Sequence, residues 1–262
     1  LRQAAAVVPG VDRLVVGTGP QAGALQSALA ALTRFSRALS SLRAQGLTLQ
    51  HALVLHRSYT NGAVVHLLRA GVVSAGDCAV WDAAVARFWS EAIGRPLDDA
   101  QKAQLFLPLK LGGCGLQSAA WQRCPAVLGS WMLCLRDVAL AVGASSGMDF
   151  RHRHPVLAAD VERCASELEG ADFTFDWSTL FAEEVAKGQK SLSSDVQAAK
   201  HTALLGFVST DDRADIRSAG GTGAGSFLLP PSQPDQAMCD TFLAVALRRR
   251  LRCPNPAATG FG

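Results

Sequence analysis

Leu107-Pro108-Leu109-Lys110-Leu111-Gly112-Gly113-Cys114-Gly115-Leu116-Gln117-Ser118 is the stretch whose reading decides the fold. Gly112, Gly113 and Gly115 fall within four residues. A helix interior resists such a run, since each glycine costs about 1 kcal/mol relative to alanine. Glycine instead reaches positive φ and lets other backbone approach closely. Pro108 stops the helix before it, and a new apolar helical pattern begins near Ser118. The segment is therefore predicted to be a tightly turned structural hinge made by Pro108, Gly112, Gly113 and Gly115. Leu107, Leu109, Leu111 and Leu116 are expected to pin it to a core, which is a packing role.

Outward from this hinge the pattern is helical on both sides. Before it, Leu25, Leu29, Leu32, Phe35, Leu39 and Leu42 recur at three- and four-residue spacing, which predicts a helix from Pro20 to about Gln45. A second helix is predicted over about Thr48–Ala70, weakened at Asn61-Gly62. A third starts at Ser74, an N-cap with Asp77 three residues on, and ends at Gly94. A short helix follows Asp98-Asp99. After the hinge, residues 118–142 read as a strongly apolar helix that Pro125 kinks or splits. The small-residue run Gly143–Met148 is the expected domain boundary. Beyond it, helices are predicted at about 155–169, 177–187, 191–207 and 236–251. Residues 11–19 read as one short β-strand. The expected fold is thus mainly α, a helical bundle followed by a smaller, irregular helical domain, with a short N-terminal strand.

Composition agrees with this class. Hydrophobic residues make up 49% and aromatics only 6%, which favours Ala- and Leu-rich helices over a β-sandwich. No stretch reaches the roughly 18 uninterrupted apolar residues of a membrane span, so no membrane partner is expected. The start, Leu1-Arg2-Gln3, carries neither Met nor a signal peptide, and the chain reads as a piece of something longer. Seven cysteines at irregular spacing include no Cys-x-x-Cys pair, which leaves a zinc ribbon unsupported and points to a reducing, intracellular compartment. Cys124 and Cys134 are expected to be buried thiols.

Charge is distributed unevenly. Residues 1–70 hold seven arginines, no lysine and one acid, Asp12, whereas residues 143–262 hold twelve basic and fifteen acidic groups. Guanidinium groups bind phosphate bidentately, so an all-arginine, acid-poor segment points to a polyanionic partner. Arg34, Arg37, Arg43, Arg57 and Arg69 are the primary candidates, with Arg248, Arg249 and Arg250 as a second patch. Few aromatics accompany them, which favours backbone tracking of a duplex over stacking on single-stranded bases.

Other constellations are poorer. Gly17-Thr18-Gly19-Pro20-Gln21-Ala22-Gly23 follows the strand, but its G-x-G-x-x-x-G spacing is one residue off a dinucleotide loop and no βαβ alternation follows. Gly220–Gly225 has no P-loop lysine. Arg151-His152-Arg153-His154 lacks companions at metal spacing and reads as a solvated basic loop. Asp98-Asp99 and Asp211-Asp212 read as helix starts, where carboxylates suit the positive end of the dipole. No catalytic residue, metal site or cofactor is expected.

Three segments carry a resemblance. Val15-Val16-Gly17-Thr18 precedes a long helix; Leu107 to Ala119 has the form Leu-Pro-Leu-x-Leu-Gly-Gly-x-Gly-Leu-x-Ser-Ala and follows Val65-His66-Leu67-Leu68-Arg69. The third runs from Arg213 to Leu228 and continues through Pro230, Asp240-Thr241-Phe242 and Ala246-Leu247-Arg248-Arg249-Arg250-Leu251. In this order they resemble the end of the palm, the thumb and the post-thumb linker of non-LTR retrotransposon reverse transcriptases. The chain departs from the pattern by placing Gly19 before Pro20. It has no counterpart of the metal-binding aspartates, nor of the downstream cysteine–histidine knuckle and endonuclease. The resemblance implies residues 1–20 as a palm remnant, 21–142 as a thumb-like bundle with its hinge at 107–118, and 143–262 as a helical linker domain. It also implies binding of an RNA/DNA template–primer duplex, association with the rest of a parent RNA-directed DNA polymerase, and an intracellular setting, the nucleus included. The competing expectations are a helical protein-interaction module or decayed retroelement remnant, and a nicotinamide-dependent enzyme built on residues 14–23.

Overall fold

The computed structural model describes residues 22–71, 73–168, 175–179, 188–231, 233 and 236–254. The expected strand at 11–19, the loop Gly17–Gly23 (except at its helical end), the palm remnant 1–20 and most of the helix at 177–187 lie outside these residues. The chain is mainly helical, and the described residues contain no strand. In order, the helices are α1 (Ala22–Ala44), α2 (Leu49–Ala63), α3 (Val65–Arg69), α4 (Ala75–Ile93), α5 (Asp99–Leu105), α6 (Ala119–Ala141), α7 (Gly147–Arg153), α8 (Pro155–Ser166), α9 (Gln189–Phe207), α10 (Thr210–Ala219) and α11 (Asp240–Arg250). Short 3-10 turns occupy Leu109–Leu111, Trp177–Thr179 and Ser226–Leu228.

Helix starts follow local side-chain chemistry. Asp98 and Gln101 form a reciprocal capping box on α5, at 2.8 and 3.0 Å. Ser74 and Asp77 exchange the same pair of bonds at the start of α4, and Ser209 accepts from Asp212 at α10. Each satisfies backbone N–H groups that have no partner within the helix. The two paired-acid sites are therefore helix starts in the structure.

Two compact units form, and they interleave along the sequence. Among the described residues, one draws on 22–26, 65–71, 73–78, 119–168, 175–179 and 188–199; the other on 27–64, 79–118, 200–231, 233 and 236–254. The expected division near 143–148 is not where the chain divides, and the physical reason is local. Gly143, at φ +72°, lets Ala144 N–H close back on the carbonyl of Ala139 at 2.9 Å, so α6 ends in a left-handed cap. Ala144 is thereby buried beside Phe150. The glycine run is a helix terminus folded into a core.

In the first unit α6 packs against α3 and α8. Its core joins Leu128, Leu135 and Ala139 of α6 to Phe150, Leu157, Val161, Trp177, Leu192 and Val196. Pro125 neither splits α6 nor ends it. By length and apolarity alone α6 would suffice to cross a membrane, yet every residue from 122 to 129 is buried in this unit. Residues 151–153, expected as a solvated loop, are the last turn of α7, where Arg153 pairs with Asp149 and Arg151 with Glu162. Cys134, expected to be buried, is exposed; Cys124 is buried.

In the second unit Leu32 and Leu39 of α1, Leu49 and Leu53 of α2, and Trp81, Val85 and Trp89 of α4 are almost wholly removed from solvent. The predicted second helix breaks at Val64, two residues past Gly62, into α2 and α3. The glycine stretch closes on itself in this unit. Gly113 N–H donates to Pro108 O at 3.1 Å, and Gly115 N–H to Leu107 O at 2.9 Å. Gly112 and Gly115 have φ of +82° and +74°. A Cβ on Gly113 would overlap the Leu107 carbonyl, so this position admits glycine alone.

Candidate nucleic-acid interface

From Arg13 to Gly76 the sequence contains no acid, so α1 and α2 carry no negative side chain. Leu32 and Leu39 turn α1 towards the core of the second unit, and Arg34 and Arg37 are left exposed one turn apart. Between α1 and α4 lies a groove of about 400 Å³. Thr33, Ser36, Arg37 and Ser40 line it from α1; Arg87, Phe88 and Glu91 line it from α4. Arg87, which sequence reasoning passed over, is exposed and adds a second guanidinium to the groove. The signal for it was present: Trp81, Val85, Phe88 and Trp89 set the inward face of α4, and 87 falls off it.

Phe88, which lines the groove, stacks on the buried His56. His56 lies 3.9 Å from Phe88, centroid to centroid, with the rings 6° from parallel. Phe35 lies 6.5 Å from the His56 ring and stacks on Tyr59 at 4.4 Å. Burial pushes the His56 pKa down to about 3, so the ring is neutral at ordinary pH. Trp89 Nε1–H donates to His56 Nδ1 at 3.3 Å, which fixes the proton on Nε2 and makes Ser36 Oγ, also at 3.3 Å, its acceptor. His56 therefore supports Phe88 from within the core and adds no charge. The groove's cations are Arg37 and Arg87, opposed by Glu91; Arg34 is exposed on α1 and is not among the lining residues.

The remaining candidate arginines are placed differently. Arg43 pairs with Asp240 at 3.2 Å, and the same carboxylate accepts Leu49 N–H at 2.7 Å. Arg57 donates to the carbonyls of Cys114 at 3.3 Å and Leu228 at 2.9 Å. Arg248 donates twice to Ile93 O at the end of α4, at 2.8 and 2.6 Å. Arg250, only 6% exposed, donates to Gly113 O, Ala224 O and Leu109 O at 2.9, 3.0 and 3.2 Å. Its guanidinium also lies 5.9 Å from the Phe227 ring centroid. Arg249 is exposed. Arg69 belongs to the other unit and gives its Nε–H to Gln189 Oε1 at 3.0 Å.

Thus the structure brings Arg37 and Arg87 to one groove, leaves Arg34 exposed on α1, and sets Arg57, Arg248 and Arg250 to satisfying backbone carbonyls. Compared with known proteins, the chain matches no family model, no curated protein and no solved structure. The hinge residues have a definite part in this. Gln104 Nε2 reaches both Gly112 O and Arg250 O, at 3.0 and 2.7 Å, and locks the turn to α11. Cys114, wholly buried between Arg57 and Arg250, has its thiol pKa pushed up to about 12 by desolvation, so it stays protonated. Among the described residues no three His, Cys, Asp or Glu side chains converge as metal ligands would.

Proposed function

We propose that the α1–α4 face binds the phosphate backbone of a nucleic-acid duplex, as the non-catalytic thumb-and-linker portion of a reverse transcriptase-like retroelement protein. The observation that carries this reading is the exposure of Arg37 and Arg87 on one groove, with Arg34 also exposed on α1, a helix that bears no acid. Three exposed guanidiniums suit a phosphate row, while the Thr33 and Ser40 hydroxyls already donate to the carbonyls of Leu29 and Ser36. The retroelement origin rests on the three resembling segments, and the template–primer duplex follows from it as the proposed ligand.

Counterion release supplies the test. Neutralising three phosphates predicts that log affinity for a short RNA/DNA duplex falls with log salt at a slope of about −2.7. The double variant Arg34→Glu, Arg37→Glu should flatten that slope and weaken binding across all sequences. An affinity that does not change with salt overturns the proposal.

A second reading, a helical protein-interaction module, draws on α11. There Phe242 is 71% exposed, and Val245 lies exposed one turn on. Absence of duplex binding at low salt would favour it.

A further inference from the structure

A second cavity lies wholly within the other unit and is independent of the proposed duplex face. It encloses about 510 Å³ beside α6 and α8, within the range of small-molecule sites. Its walls are mainly apolar: Val73, Val127, Trp131, Val138, Val142 and Leu157. Trp131, Val138 and Val142 are only partly buried although they pack on the core, so they have apolar surface to give to an occupant.

The cations around this cavity outnumber the anions. Arg69, Arg123 and Arg163 line it together with Asp160. Arg163 pairs with Asp160 at 2.8 Å, and Glu167 serves both Arg123 and Arg163. Among the described residues two carboxylates therefore face three guanidiniums, and Arg69 is the one left over. Gln189 Oε1 holds its Nε at 3.0 Å; among the described residues no carboxylate meets it. Gly71, at φ +70° two residues on, turns the chain at the cavity's edge.

We infer that this cavity binds a single-headed anionic amphiphile, a medium-chain carboxylate. Its head group is taken by Arg69 and its chain lies along Trp131, Val138 and Val142. An apolar wall rewards any hydrocarbon chain of suitable size, and the surplus guanidinium selects the acid among them.

Calorimetric titration of the whole chain with decanoate and with decanol tests both halves of this assignment. Decanoate should bind saturably, about tenfold more tightly than decanol, and should raise the melting temperature. Arg69→Gln, at an exposed position, should bring decanoate down to the affinity of decanol and leave decanol unchanged. Val138→Trp, which fills the cavity, should abolish both, with circular dichroism confirming that the variant is folded. The assignment is overturned if the wild type takes up no decanoate saturably, or binds acid and alcohol equally. It is also overturned if selectivity survives Arg69→Gln, or if folded Val138→Trp binds as before. Since neither variant touches α1 or Arg87, the salt dependence of duplex binding is unaffected by any of these results.

Discussion

Arg250 and Gly113 are joined by a 2.9 Å hydrogen bond from the guanidinium Nε to the glycine carbonyl, across 137 positions of sequence. The final helix thus holds the central glycine turn by a side chain that is itself buried. Three carbonyls converge on that one guanidinium, at Leu109, Gly113 and Ala224. Backbone acceptors in a closed turn have no ladder to join, and a planar fork of donors satisfies several at once. Burial lowers the pKa of Arg250; a guanidinium in a protein keeps its proton, so the interaction is charge-assisted.

Truncating this residue should therefore be costly. Arg250→Met keeps the stem but strands three carbonyls, and a loss of about 2–4 kcal/mol in urea unfolding is expected from the desolvation of unpaired acceptors. Arg249→Met, one position away and exposed, should change stability by less than about 0.5 kcal/mol. Equal effects at the two positions would show that the turn does not depend on the buried fork.

Glycine-to-alanine substitutions should act with opposite signs at two sites. Gly62 sits within α2 with open space where a Cβ would go, so Gly62→Ala should stabilise by about 0.5–1 kcal/mol. At Gly113 the added Cβ would run into the Leu107 carbonyl, a backbone atom that cannot swing away. Thermal melts should show a rise for the first variant and a fall of several degrees for the second.

Much of this architecture was written in local chemistry. The Ser74, Asp98 and Asp211-Asp212 helix starts could be read from side chains that bond their own backbone, and α1, α4 and α6 from apolar spacing. The break at Val64 and the turn that follows α6 were harder, because a glycine marks a change of direction without saying whether a boundary or a cap follows. The two interleaved units were not visible at all: which segment returns to which core depends on contacts far apart in sequence. The candidate site shows the same limit. Arg57 lies four residues after buried Leu53, and Arg250 three after buried Leu247, so helical spacing placed both on inward faces. Counting arginines by charge alone grouped them with Arg34 and Arg37, because charge pattern does not distinguish a carbonyl partner from a phosphate.

The His56 ring should leave a signature in the pH dependence of stability. Its pKa is about 3 in the folded chain, held down by burial, against an ordinary value of 6.5. The unfolded chain then binds the extra proton between these values. Stability contributed by the neutral ring is complete above about pH 6.5 and declines as pH falls, by up to about 1.4 kcal/mol per pH unit, until about pH 3. His56→Phe preserves the stack on Phe88 and cannot titrate, so it should remove one proton from that slope between pH 6 and 4. An identical slope in variant and wild type would mean that the ring is charged when folded.

Arginines that face phosphate and arginines that hold carbonyls should separate cleanly when both stability and duplex affinity are measured. Arg87→Gln removes an exposed cation from the α1–α4 groove; it should leave urea unfolding within about 0.5 kcal/mol of wild type and reduce the salt slope by about 0.9. Arg57→Gln breaks two bonds to Cys114 O and Leu228 O, so it should lower stability by about 1–3 kcal/mol. At a temperature where that variant remains folded, its salt slope should equal that of wild type, because Arg57 already has its partners within the chain. If Arg57→Gln flattens the slope while Arg87→Gln does not, phosphate is met on the glycine-turn side of the unit, and the α1–α4 groove is not the contact surface.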